Sequence, residues 1–308
     1  MTNTYPSFRR SLYASPFFFI LLLLQPTRKI MRKVSLFVAV VLASTFAFAQ
    51  GKKAASADVE RFFKSTTSVL IFNENKIIDL SFKDNLAKAW TITPLKYIGP
   101  SEFEDLRTDA KNSFLGITEV RYSNDKRENP YYFLALSVGG NAASYSDMPD
   151  LGFIPLGTNV EEVEDNMYMV PTMLQFLQMH MQNLKMNPGI LDESLRFYNK
   201  NVSELRSKTI LICKEDVTSG VSEERMSQKN KNDIRFVSRE EIIKAVKEKR
   251  PNTVVSFLVH PKGEEYARCY KMLFGTDDAK LYFYGYHKSN ALQRGGFTRW
   301  DIERIARY

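Results

Sequence analysis

Two short polar stretches of this 308-residue chain carry side chains suited to acid–base or ligand chemistry. "KED", residues 214–216, follows an apolar run, and His260 ends a later one. A carboxylate beside an imidazole can move protons or hold a divalent ion. Glu215, Asp216 and His260 are therefore candidate catalytic residues for a hydrolase, provided that the two runs are neighbouring strands. Solvated loop ends are the plainer reading. "NEN", residues 73–75, ends an earlier run of the same kind. That makes Glu74 and Asn75, together with Glu215 and Asp216, candidate ligand-binding residues. Glu119 falls opposite His260 in this earlier stretch, so the trio is not repeated.

A third stretch, "MLQFLQMHMQNLKM", offers thioether sulfur and imidazole, good ligands for cuprous copper. His180 is the candidate metal ligand. Met179, His180 and Met181 are consecutive, however, and a helix aims them about 100° apart. Met173, Phe176, Leu177, His180 and Leu184 instead share one face, so a core helix with a hydrogen-bonded histidine is the expectation. "LQRGGFTRW" places Gly295 and Gly296 before a helix, where an ordinary turn is the simpler reading than an anion cradle. There is no nucleophile elbow, zinc-type histidine pair, paired CxxC or dinucleotide fingerprint. No cofactor and no resident metal are expected.

The elements that must position these residues read as two similar halves. "SVLIF", residues 68–72, aligns with "TILIC", residues 209–213, matching Val69 to Phe72 on Ile210 to Cys213. Continuous apolar runs of this length suit strands buried on both faces. Polar helical segments follow, with Ser81 and Ser222 as caps. Next come "LKYIGPSEFEDLR" and "IRFVSREEIIKAV", each a strand running into a helix, with Ser101 and Ser238 near the helix starts and a capping box between Ser238 and Glu241. Each half closes with a hairpin, and "YYFLALS" is matched to "LYFYGYH". The last strand alternates aromatic residues. Its Tyr282 and Tyr284 are candidate partner-binding positions, because an exposed edge could pair with an extended peptide. Thr298 and Asp301 make a further capping box.

The reading is an α/β protein, with α+β character, of two tandem βαβαβ(β) modules with mixed sheets joined by helices. The first α/β module covers residues 58–145. A connecting loop and helices cover 146–206, and the second module with a C-terminal helix covers 207–308. Residues 1–49 read as a leader. From Met31 a basic pair, an apolar run and a small-residue site ending at Ala49 form a signal peptide, leaving Gln50 first in the mature chain. Translation from Met31 is the expected start. No cysteine stands at the junction, so a lipoprotein anchor is not expected. The formal net charge is +8, but six basic residues and no acid precede the cut. The mature chain is close to neutral, which argues against nucleic acid as a partner. Cys213 and Cys269 are expected to be two buried free thiols or an incidental bridge, and the fold does not need a thiol at Cys213, since Phe72 stands in the matching place. The function expected is a non-catalytic binding or envelope-assembly accessory, periplasmic or extracellular, with a protein or peptide partner and no stable transmembrane helix. The hydrolase corner and a purely structural scaffold are the alternatives.

Overall fold

The computed structural model describes residues 52–71, 77–140, 142, 144–219, 221 and 232–307. Ala49, Gln50, Phe72, Glu74, Asn75 and Ser222 lie outside the described residues. The first half begins with β1 (Lys52–Lys53), α1 (Ser56–Phe63), β2 (Thr66–Leu70), α2 (Ile77–Ala89), β3 (Leu95–Ile98) and α3 (Pro100–Leu106). It continues through β4 (Asn112–Arg121), β5 (Pro130–Val138) and β6 (Pro149–Gly157). These strands form a mixed sheet in the order β1-β6-β5-β4-β2-β3. The connecting region holds α4 (Val160–Asp165), a 3-10 turn at Asn166–Met169, α5 (Val170–Met186), α6 (Ile190–Glu193) and a 3-10 segment at Ser194–Ser207. The second half comprises β7 (Thr209–Cys213), β8 (Asp233–Val237), α7 (Arg239–Lys247), β9 (Thr253–Val259), β10 (Arg268–Gly275), β11 (Leu281–Lys288) and α8 (Arg299–Ala306). Its sheet runs β11-β10-β9-β7-β8.

Five strands of each sheet follow one plan. β2 is parallel to β3 and β4, with β5 and β6 antiparallel beyond; β7 is parallel to β8 and β9, with β10 and β11 antiparallel beyond. The ladders correct the alignment of the central strands. Thr66 faces Asn112 and Thr67 faces Leu95, whereas Thr209 faces Thr253 and Ile210 faces Ile234. Thr67 rather than Val69 therefore stands where Ile210 does, and Leu70 stands where Cys213 does. A slip of two residues leaves every side chain on its original face, so apolar patterning cannot detect it. The plan also pairs β5 with β10 and β6 with β11, so "YYFLALS" and "LYFYGYH" are one strand out of step. Strand β6 lies beyond the expected end of the first module because Pro149, Gly152, Pro155 and Gly157 disguise it. Only its first two residues pair with β1, and proline is tolerated on such an edge. Gly152 lets α5 sit close: a Cβ would come within 2.6 Å of the Leu177 Cδ2, which would have to move.

Helix boundaries follow burial and capping. Ile78, Phe82 and Leu86 form one buried stripe, so α2 begins before Ser81, which lies inside the helix instead of capping it. Gly99 is the N-cap of α3, its N–H donating to Glu102, and Ser101 comes two residues later. Ser238 does cap α7, accepting the Glu241 N–H at 3.4 Å, but the Glu241 carboxylate turns to Arg250 at 2.7 Å. Thr298 and Asp301 form the full capping box of α8.

The largest apolar cluster draws on both sheets and on α1, α2, α5 and α7. Two smaller clusters lie apart from it. Leu70, Ile98, Phe103 and Phe114 meet under α3, and Ile210, Ile212, Val254, Ile302 and Ile305 meet under α8. Arg268 joins the halves: it donates to Asp125 at 2.7 Å and stacks on the Tyr122 ring, and its backbone N–H reaches the Tyr131 hydroxyl.

Candidate functional site

His180 sits in the centre of α5 at 4 % exposure. Its Nε2 is 3.0 Å from the Leu151 carbonyl and its Nδ1 is 2.7 Å from the Tyr198 hydroxyl. A carbonyl only accepts, so Nε2 carries the proton and Nδ1 accepts from the tyrosine. Both nitrogens of a neutral ring are satisfied, and burial holds the imidazole down at about 4. Among the described residues no group of three histidine, cysteine or acidic side chains is placed to hold a metal ion. Cys213 and Cys269 are buried free thiols.

The proposed strand-end corner divides into two environments. Asp216, in the 3-10 turn after β7, is 5 % exposed, and its Oδ1 accepts from Arg239 at 2.6 Å. Arg239 opens α7, directly after the Ser238 cap. Burial raises the Asp216 carboxyl to about 6, with Arg239 pulling the other way. The guanidinium loses solvation too, but Asp216, Cys213 and Tyr168 together hold it in the charged form. Cys213 donates to Glu215, and burial, then Asp216, push its thiol up to about 12, leaving it a protonated and poor nucleophile. Tyr168, in the 3-10 turn before α5, stands beside Arg239; burial raises its hydroxyl to about 12, and the guanidinium offsets part of this.

His260 belongs to the other environment. A Cβ on Gly295 would come within 2.3 Å of the imidazole, so this glycine lies flat against the ring. Burial and the neighbouring His287 hold His260 down at about 4. Gly296, at φ +135°, donates its N–H to Cys269 Sγ at 3.2 Å, and the His287 Nε2–H donates to the Arg294 carbonyl at 3.2 Å. Lys271 and Asp301 form a buried ion pair at 2.6 Å under the same strap. The strap also touches the first environment, since Phe297 N–H donates to the Asp216 carbonyl at 2.7 Å. The structure thus brings Asp216 and Glu215 together with Arg239, Cys213 and Tyr168, and places His260 with His287 and Gly295.

The partner-binding strand is differently placed from the sequence expectation. Tyr282 is fully buried and donates to Asp278. The outer edge of β11 is already occupied: Asn199 accepts the Tyr284 N–H at 2.7 Å and donates to the Tyr284 carbonyl at 3.0 Å, while Asn201 donates to the Leu281 carbonyl at 2.9 Å. Two side-chain amides stand in for a further strand, so Tyr284 offers no free backbone to a peptide.

One orphaned polar atom marks the Asp216 corner. Asp216 Oδ2 is buried without a hydrogen-bond partner among the described residues, while the buried Tyr168 hydroxyl turns to the Arg239 guanidinium. Tyr168 also lines an open cleft of about 530 Å³ between α2, α5 and α7, with Asn85 and Gln175 on its walls. Glu164 and Asp165 and also Lys247 and Lys249 line the cleft. A second cleft, about 490 Å³, is lined by Phe176, Met179, Phe197 and Leu281 and lies away from these groups. Arg239 and Tyr168 escaped the sequence reading. A signal for Arg239 exists: a cation at the first position of a helix opposes the helix dipole and calls for a carboxylate nearby. Tyr168 carries no comparable mark. Comparison with protein-family models, curated proteins and solved structures finds no match to this chain.

Proposed function

We propose that this is an exported, non-catalytic binding protein whose ligand site is the cleft lined by Tyr168, backed by the Arg239–Asp216 pair behind that tyrosine. The observation that carries the reading is a ligand-sized cleft lined by Tyr168, whose neighbour Arg239 pairs with a buried carboxylate that keeps one oxygen, Asp216 Oδ2, unpartnered. Leaving a buried polar group unsatisfied costs about 1–3 kcal/mol. The unpartnered Asp216 oxygen favours a partner that supplies a hydrogen-bond donor. A small polar ligand meets that description, with amides and both signs of charge on the cleft walls to orient it. The competing hydrolase corner would require His260 to face Asp216, and the contacts of His260 with Gly295 and His287 weigh against it.

Native mass spectrometry of the protein recovered from the envelope fraction tests the site. A small molecule retained by the wild type and lost from Tyr168→Phe and Arg239→Lys would support it. The same occupancy in all three would overturn it. Export has its own readout, since amino-terminal sequencing should begin at Gln50; an intact leader on the mature protein would sink that part.

A further inference from the structure

Helix α8 buries one side only. Ile302, Ile305 and Ala306 face the core, and the Asp301 carboxylate is taken by Lys271 and the Thr298 cap. The opposite side carries Trp300, Arg304 and Arg307, spaced i, i+4 and i+7, which is one helical stripe. Trp300 is 62 % exposed, against 6 % for Trp90, the chain's other tryptophan. The Arg304 guanidinium lies 5.9 Å from the Trp300 ring and 5.6 Å from the Phe283 ring, within cation–π range of both. In the turn before the helix, the Asn290 side chain accepts the Leu292 and Gln293 N–H groups. That turn presents Leu292 at 100 % exposure, followed by the exposed Arg294. Residues 290–307 hold four arginines and two acids. Asp301 is buried against Lys271, and Glu303 pairs with Arg299 at 2.7 Å. Among the described residues Arg294, Arg304 and Arg307 have no carboxylate at ion-pair distance.

We propose that this C-terminal segment binds an anionic lipid surface, with Trp300 and Leu292 entering the headgroup region and the arginines meeting lipid phosphates. Tryptophan and arginine together suit that boundary, where an amphipathic ring is half solvated and anionic lipids attract cations. Two apolar side chains are too few for a stable protein interface, which covers about 800 Å² per partner. A shallow membrane contact needs only a small apolar face reinforced by charge. The inference is independent of the cleft, which lies on other elements.

The full-length protein mixed with vesicles provides the test. Vesicles of equal parts phosphatidylglycerol and phosphatidylcholine should sediment the protein and shift tryptophan emission to the blue. Phosphatidylcholine alone should do neither, and inorganic phosphate at low concentration should not compete. Trp300→Phe should lose the emission shift, because Trp90 is already buried. Each arginine near an anionic surface contributes roughly fivefold in binding, so Arg304→Glu with Arg307→Glu should weaken sedimentation by more than about twentyfold. Should that pair alter the thermal transition, Leu292→Ser carries the same test with a loss of several-fold. Absence of sedimentation with anionic vesicles, or wild-type binding by the arginine variants, would overturn the proposal. A blue shift that grows with protein concentration without vesicles would overturn it in favour of self-association.

Discussion

The two sheets share strand order and direction but divide inside from outside differently. In the first sheet, α3 follows β3 and closes a cluster of its own with Leu70, Ile98 and Phe114. In the second, α7 holds the same topological place, yet Ile242, Ala245 and Val246 feed the main core. The second sheet's separate cluster lies instead under α8. The end of β7 therefore opens toward the main core, with α7 and the turn carrying Tyr168 around it. That is how Asp216 becomes a buried charge. In the first sheet the position of Asp216 lies outside the described residues, and the ion pair between β3 and α3, Lys96 with Glu102, is on the surface, both side chains 51 % exposed. The two pairs contrast a carboxylate held out of water with one left in it.

The largest expected effect lies on that difference. Arg239→Ala leaves the Asp216 carboxylate buried and uncompensated, which should cost about 3–5 kcal/mol in urea unfolding. Replacing both partners, Asp216→Asn with Arg239→Met, should restore most of the loss. A loss under 1 kcal/mol in the single variant would mean that the pair is solvated as Lys96 and Glu102 are.

Acid stability comes next in size, and its groups lie in α5 and the second sheet. The folded Asp216 carboxyl is raised from 3.8 to about 6, so its contribution is present below about pH 4 and is lost as pH rises through 6. His180 has the opposite sign. It is lowered from 6.5 to about 4, so its contribution is complete above pH 6.5 and is lost as pH falls through 4. His260 follows His180. The ladders put Glu119 at the position of His260 in the first sheet, where it accepts from Tyr132 and Arg121. Three imidazoles, His287 among them, oppose one carboxyl, so stability should fall between pH 6.5 and 4. Urea midpoints across that range should fall less in His180→Asn and more in Asp216→Asn. A flatter profile for Asp216→Asn would reverse the sign argued for that corner.

The sheet edges give a smaller contrast. The β6 edge is partly covered by a two-residue strand, and the β11 edge by the amides of Asn199 and Asn201. Asn199→Ala removes two hydrogen bonds and should cost about 1–2 kcal/mol. Faster amide exchange at Tyr284 should accompany it, together with some edge-to-edge association. Unchanged exchange would show that the Ser194–Ser207 segment shields the edge without its amides.

Much of this fold was legible, for reasons that also mark where legibility stops. Ile210 to Cys213, the Ser238 cap and the Thr298–Asp301 box are local signals, and each lies where the sequence places it. The two-residue slip between β2 and β7 was invisible because alternation has a period of two. Strand β6 was hidden by its prolines and glycines, which a partly paired edge tolerates. The candidate site was half legible: Glu215 and Asp216 follow from the strand end. Their neighbours Tyr168 and Arg239 arrive from α4–α5 and α7 through packing that no local pattern encodes. His180 was readable as a core residue, because a helical stripe specifies burial whatever the tertiary fold.

The smallest effect closes the comparison of the two ion pairs. Lys96 reaches Glu102 at 3.1 Å, with solvent around both. Exposed pairs gain little, since water screens the attraction and holding two long side chains in place costs entropy. Lys96→Ala should therefore change stability by less than about 0.5 kcal/mol, and raising the salt concentration should erase even that. The Gly99 N–H should keep its bond to Glu102, so amide exchange at the start of α3 should not move. A loss of 2 kcal/mol or more would show that the Lys96–Glu102 pair is also shielded from water. The distinction between the two corners would then have to rest on Tyr168 and the cleft alone.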